Sequence, residues 1–257
     1  MAQLWKGETE KAIENFPISG ERMPTEVVRM LARVKAEAAR VNAELGLLDA
    51  DQAERIAAAA DAVAAGEHDD QFPIDVFQTG SGTSTNTNVN EVISTLAGED
   101  VHPNDHVNMG QSSNDVIPTA IHLAALISMQ RDLLPALEKL QRALEEKARE
   151  FDDVIKTGRT HLQDATPIRL GQEFEGYAGQ IERGITRVHK AMDELAEVAL
   201  GGTAVGTGVN THPEFAQRVT ERLSARFGVE VRETENHFQA QSAMDGTVFA
   251  SGALKTV

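Results

Sequence analysis

The chain has 257 residues, 41% hydrophobic and 25% charged, the balance of a globular protein able to bury a core in one or two domains. It has no cysteine, which excludes disulfides, a thiolate nucleophile and cysteine-based metal sites, and fits a reducing, cytoplasmic setting. Against 24 basic residues stand 40 acidic ones, and the net charge of −16 repels nucleic acid and anionic lipid while being compatible with a high-salt cytosol.

Any anion site must therefore be built locally, from hydroxyls, amides, helix N-termini and a few cations. The opening segment MAQLWKGETEKAIENF carries Lys6, Glu8, Glu10, Lys11 and Glu14 among its apolar residues, so no signal-peptide core is expected. No later run approaches a membrane span, and the expectation is a protein neither secreted nor membrane-embedded.

Residues 24–65 predict two helices packed as a hairpin. Pro24 and Thr25 make a start signal, Val27, Val28, Leu31, Val34 and Ala38 recur at helical spacing, and an alanine-rich helix runs from about Asp51 to Ala65. The next segment, Thr79 to Val92 (TGSGTSTNTNVNEV), is a polar block whose glycines let backbone approach a ligand and whose Ser, Thr and Asn side chains offer donors without charge. It reads either as a grip for carboxylates or as a turn that caps the following helix. No Gly-Lys-Ser/Thr follows its glycines, so it is not a phosphate loop.

His102 to Ala120 holds two features. His102 and His106 with Asp105 have the spacing of a metal site, but their neighbours are amides and hydroxyls, and Pro-Asn-Asp reads equally as a helix start. Ser112-Ser113-Asn114-Asp115 stands before an apolar helix, where hydroxyls and an amide beside a positive helix end suit an anion.

From Pro118 the helical period lengthens through Leu126, Met129, Leu133, Leu137, Leu140, Leu144, Ala148 and Phe151, with a kink expected at Pro135. Between this stretch and the next lies GRTHLQDATP, Gly158 to Pro167. There His161, the side chain most easily tuned to exchange a proton near neutral pH, follows Thr160 and lies two residues from Arg159. The alternative is a polar inter-helix connection in which Arg159 pairs with Asp164.

Phe174, Ala178, Ile181, Ile185, Val188, Met192, Leu195 and Ala199 then keep a seven-residue repeat, predicting a second long helix. Leu200 to Phe215 (LGGTAVGTGVNTHPEF) is glycine-rich but lacks the third glycine and strand-helix context of a dinucleotide fingerprint, leaving an inter-helix turn or a substrate contact. Strand candidates are confined to short pieces such as Gly228 to Arg232. The expected fold class is all-α in the main, a long antiparallel helical bundle with an N-terminal helical domain. The division is expected at 1–117, the N-terminal domain with the substrate loop, and 118–257, the central bundle.

These strings, in this order, resemble the class II fumarases of the fumarase/aspartase superfamily: TGSGTSxNxNxNEV, HPNDxVN, QSSND, GRTHLQDATP, LGQEF and LGGTAVGTGxNTHPEF. The resemblance runs from LWKGETEKA onward and covers the first half to three-fifths of such a protein. It implies reversible anti addition of water to fumarate to give L-malate, a citric-acid-cycle type reaction, without metal or organic cofactor, in a homotetramer whose active sites each draw on three subunits. Ser81, Gly82 and Thr83 then match the substrate loop, Ser112, Ser113 and Asn114 the carboxylate ligands, and Thr160 with His161 the substrate-contact and acid/base pair. His102, Pro103, Asn104 and Asp105 match a second, non-catalytic dicarboxylate site.

Aspartases resemble the same pattern but carry Gln where this chain has His161, and Thr-Asn-Asp where it has Ser113-Asn114-Asp115, so water is favoured over ammonia as the added molecule. Argininosuccinate and adenylosuccinate lyases match these strings less well. Thr87 departs from the family's Met, and the Glu91–His102 connection is short, with Glu99 where a basic residue often stands. No GSSxMPGKxNP segment, the family's serine-bearing loop, occurs among the 257 residues. The polypeptide by itself is therefore expected to be inactive and prone to aberrant association, and a non-catalytic binding or assembly role is the alternative.

Overall fold

The computed structural model describes residues 2–257 and contains ten α-helices and four short strands among them. The chain divides into two compact units, one formed by 2–124 and 196–245, the other by 125–195 and 246–257. The first unit is discontinuous, unlike a linear division at residue 117, because the segment after residue 196 returns to it.

In the first unit, helices α1 (Gly7–Asn15), α2 (Thr25–Glu44), α3 (Ala50–Ala65) and α4 (Thr83–Ala97) precede the start of α5 (Ser113–Ser128). As the spacing predicts, α2 and α3 form a hairpin. Val28, Leu31, Val34, Ala38 and Val41 are buried against the alanine-rich face of α3, where small side chains allow close approach. Asp49 caps α3 by accepting from the Gln52 amide, and Gly66 ends it in the left-handed region at φ 88°. The N-terminus of α1 is capped from a distance: the buried Glu91 carboxylate of α4 accepts from the amides of Lys6, Glu8 and Thr9 and from the Thr9 hydroxyl.

Helix α8 (Phe215–Phe227) packs on α2, burying Phe215, Val219 and Leu223. Glu37 of α2 joins them electrostatically, accepting from Arg222 at 2.8 Å, Arg226 at 2.7 Å and Arg40 at 3.1 Å. Burial pushes the Glu37 carboxyl upward, but these arginines prevail and hold it below its ordinary range.

In the second unit, a π-helical turn at Met129–Leu133 precedes α6 (Leu134–Glu150), whose second residue is Pro135. The ring lacks an N–H, and the wider turn absorbs the break expected there. Strands β1 (Ile155–Thr160) and β2 (Gln163–Arg169) form an antiparallel hairpin where a helix-to-helix connection was expected. Its two-residue turn is His161–Leu162, at φ 52° and 57°, and the register slips at Gly158, where a Cβ would lie 2.8 Å from the Thr166 carbonyl oxygen.

Helix α7 (Leu170–Ala196) extends for about 40 Å at ~1.5 Å per residue. It stops three residues before Ala199 because Glu197–Val198 (β3) pairs in parallel with Arg232–Glu233 (β4) within the first unit. The strand piece thus falls at the end of the expected Gly228–Arg232 segment, since Gly228, at φ 65°, is the left-handed cap of α8. The short α9 (His237–Ser242) belongs to the first unit, and α10 (Asp245–Thr256) lies almost wholly in the second.

Candidate functional site

The first unit brings the N-termini of α4 and α5 together. Gly82, the residue before α4, adopts φ 70°, and a Cβ there would come within 2.9 Å of Ile117 Cγ2 on α5. Only glycine combines that backbone with that approach. Ser81 and Thr83 flank it as exposed hydroxyls, 2.8 Å from one another, while Thr79 and Gln78 take the Ser84 and Thr85 amides. The polar block thus caps its helix through Gln78 and Thr79 and leaves Ser81 and Thr83 at the surface.

At α5 a capping box operates: the Ser112 hydroxyl accepts from the Asn114 amide, and Asp115 reaches back to accept from the Ser112 amide at 2.8 Å. The other carboxylate oxygen of Asp115 accepts from Gly201 at 3.2 Å and Thr203 at 2.9 Å, so it also clamps the glycine-rich segment after β3. Thr203 is held at φ 55°, which a β-branched residue adopts only under constraint. Asn114 Nδ2 donates to the Ala204 carbonyl at 2.5 Å, and Gln241 Nε2 donates to that of Thr203 at 2.6 Å. Ser81, Asn114, Ile117, Phe238, Gln241 and Met244 line a cavity of about 600 Å³ beside this clamp.

Beneath the two helix starts lies a fully buried cation. Lys35 of α2 donates from Nζ to Asn108 Oδ1 and Gln111 Oε1, both at 3.1 Å. Burial pulls its ammonium down to about 7, against the opposing charge of Asp115. Burial pushes the Asp115 carboxyl up, opposed by the Ser112, Thr203 and Gly201 amides and by Lys35. The Lys35 position was readable as an anomaly, a lysine in register with Leu31 and Ala38 on the apolar stripe of α2; its partners were not.

A family model described as a lyase matches residues 1–257. The chain belongs to this lyase family. It is 58% identical over 250 residues to a class II fumarate hydratase of Halobacterium salinarum, covering 94% of this chain and 53% of that protein. A class II fumarate hydratase of Mycobacterium tuberculosis is 54% identical, over 99% of this chain and 54% of its own length. The crystal structure of a class II fumarase from Schistosoma mansoni superposes with a TM-score of 0.96 at 36% identity, covering 99% of this chain and 59% of that one. The chain spans about half the length of the curated relatives it matches.

The remaining motif residues fall in two places. His102, Pro103, Asn104 and Asp105 sit around an exposed π-helical turn of the first unit (Pro103–Val107), where His102 Nδ1 accepts from the Asp105 amide and His106 Nδ1 from the His102 amide. Both imidazoles thus have Nδ1 engaged by backbone, and among the described residues no group of three or more His, Asp or Glu is arranged to hold a metal. Thr160 and His161 belong to the second unit, at the exposed tip of the β1–β2 hairpin. Arg159 and Asp164 do approach one another there, at 3.6 Å, but both are largely exposed and such a pair is worth little.

Proposed function

We propose that this chain supplies the substrate-gripping half of an enzyme that hydrates fumarate reversibly to L-malate. The observation that carries the reading is the convergence of two helix N-termini, bearing Ser81, Gly82 and Thr83 on one side and Ser112, Ser113 and Asn114 on the other. Positive helix ends and neutral hydroxyl and amide donors suit carboxylates in a protein whose net charge is −16. In the malate-to-fumarate direction a base removes a C3 proton and the adjacent carboxylate takes up charge. Donors already aimed at that carboxylate stabilise the developing dianion without reorganising. An acid assists departure of the C2 hydroxyl. Thr160 and His161 are the proposed substrate contact and acid/base group, and His102 to Asp105 a second dicarboxylate site. The assembly we propose is a homotetramer in the cytoplasm; half-buried Ile181, Ile185 and Met192 on α7 support a partner for that helix. No helix among the described residues is long and apolar enough to cross a membrane.

The test is a chimera joining residues 1–257 to the C-terminal portion of the Halobacterium salinarum relative, assayed by absorbance of the product double bond. Fumarate should form from L-malate and not from L-aspartate. Formation from aspartate alone would replace this reading with an ammonia lyase, and formation from neither would leave a binding or assembly role.

A further inference from the structure

Along α7 three exposed cations share one edge of the helix: Arg183, Arg187 and Lys190. Arg187 is four residues from the first and three from the last, so each is a neighbour of the next on the helix surface. Among the described residues none of the three has an ion pair or hydrogen bond, whereas Lys147, Lys156 and Arg169 of the same unit each have a carboxylate within 3.1 Å. Carboxylates are not scarce in a chain with 40 acidic and 24 basic residues. Like charges at this spacing destabilise a helix, and no contact within the unit offsets that cost.

A second observation sets a cleft along the stripe. Between α7 and α10 of the second unit lie two adjoining cavities of about 590 and 350 Å³. Gln180 and Arg183 line the first, Lys190 and Phe249 the second, and Arg187 and Thr256 border both. The Phe249 ring is 48% exposed. Glu182 also lines the first cavity, and Glu194 stands one turn beyond Lys190; neither pairs with the stripe. Ile181, Ile185 and Met192, which support a partner for α7, each lie two residues from one of these cations, roughly 200° around the helix, so a partner on that face leaves the cleft open.

We propose that the α7–α10 cleft binds a linear oligophosphate, laid along Arg183, Arg187 and Lys190. From the first to the last cation is about 10 Å at ~1.5 Å per residue, so a single phosphate or a C4 dicarboxylate reaches only one turn, while a short phosphate chain reaches all three. The guanidinium fork matches phosphate oxygens two at a time, and the ammonium and the Thr256 hydroxyl add donors. The field of a protein with a net charge of −16 repels a long polyanion such as nucleic acid, which restricts the guest to a short one.

The test is calorimetric titration of the protein with tripolyphosphate at pH ~7 and low ionic strength, without added metal, each variant first matched to wild type by circular dichroism. Saturable binding at one site per chain is expected. Arg187→Gln, where the two cavities meet, should weaken it about tenfold or more, and Glu182→Gln should tighten it about threefold by removing the carboxylate from the first cavity. Arg142→Gln, an arginine of the same unit paired with Glu138, should change it less than about twofold. ATP titrated in parallel separates the sources. A loss of about fivefold or more on Phe249→Ala for ATP alone makes the guest a nucleotide stacked by its base, and no loss for either probe makes it the free oligophosphate; both uphold the site. No saturable binding of either probe overturns the proposal. So does an equal loss for Arg142→Gln and Arg187→Gln, which would mean diffuse attraction. The hydration reading is untouched by either result, since the chimera tests it separately.

Discussion

Lys35→Met tests the buried cation through stability. Burial pulls the lysine from 10.5 down to about 7, whereas the unfolded chain returns it to its ordinary value. Between those two values the unfolded state binds one more proton than the folded state, so wild-type stability rises with pH by about 1.4 kcal/mol per unit. Below pH 7 both states are charged and the burial cost is present in full; above 10.5 both are neutral and it is gone. Met cannot titrate. The stability of wild type minus that of Lys35→Met should therefore climb across the window, by about 5 kcal/mol in all, whatever its value at the start. The subtraction removes the groups that both proteins share. Urea unfolding of both proteins at intervals from pH ~6 to ~11 measures it. Parallel curves would refute the account of Lys35 as a buried, destabilised ammonium.

Three further outcomes follow from the geometry. Gly82→Ala should lose about 2 kcal/mol in thermal unfolding, because φ 70° and the 2.9 Å approach to Ile117 both penalise a Cβ; an unchanged melting temperature would mean the two helix starts are not in contact. Glu37→Gln should cost about 2–3 kcal/mol in urea unfolding by leaving three arginines between α2 and α8 without their carboxylate, whereas Glu8→Gln, facing only the exposed Lys11, should change stability negligibly. In the chimera, His161→Asn should lower malate turnover about 100-fold or more with the protein still folded; retention of most activity would remove His161 from the acid/base role.

Much of the helical architecture was legible from local physics. The stripe Val28, Leu31, Val34, Ala38 and the alanine run after Asp51 have one way to bury themselves, as the α2–α3 hairpin, and Ser112 with Asp115 announces the start of α5 by its capping pattern. The β1–β2 hairpin was hidden for an equally physical reason. Its turn residues, His161 and Leu162, take positive φ without the Asn-Gly or Gly-Gly pair that ordinarily marks such a turn, so the segment read as a connection. The heptad spacing carried α7 on to Ala199, but the pairing of Glu197–Val198 with Arg232–Glu233 ended it earlier, and no local pattern records a partner 35 residues away.

The site shows the same split. The ligand blocks stand out as strings, while what orients them does not. Lys35 meets Asn108 and Gln111 across 73 and 76 residues, and that buried contact exists only once the three side chains are brought together.

A crystal structure of the protein grown with succinate addresses the central claim most directly. The account predicts a carboxylate within hydrogen-bond distance of Ser112, Ser113 or Asn114 at the start of α5, with Ser81 or Thr83 on the facing side. Succinate found only at the His102–Asp105 turn, with the α4–α5 start empty, would contradict it.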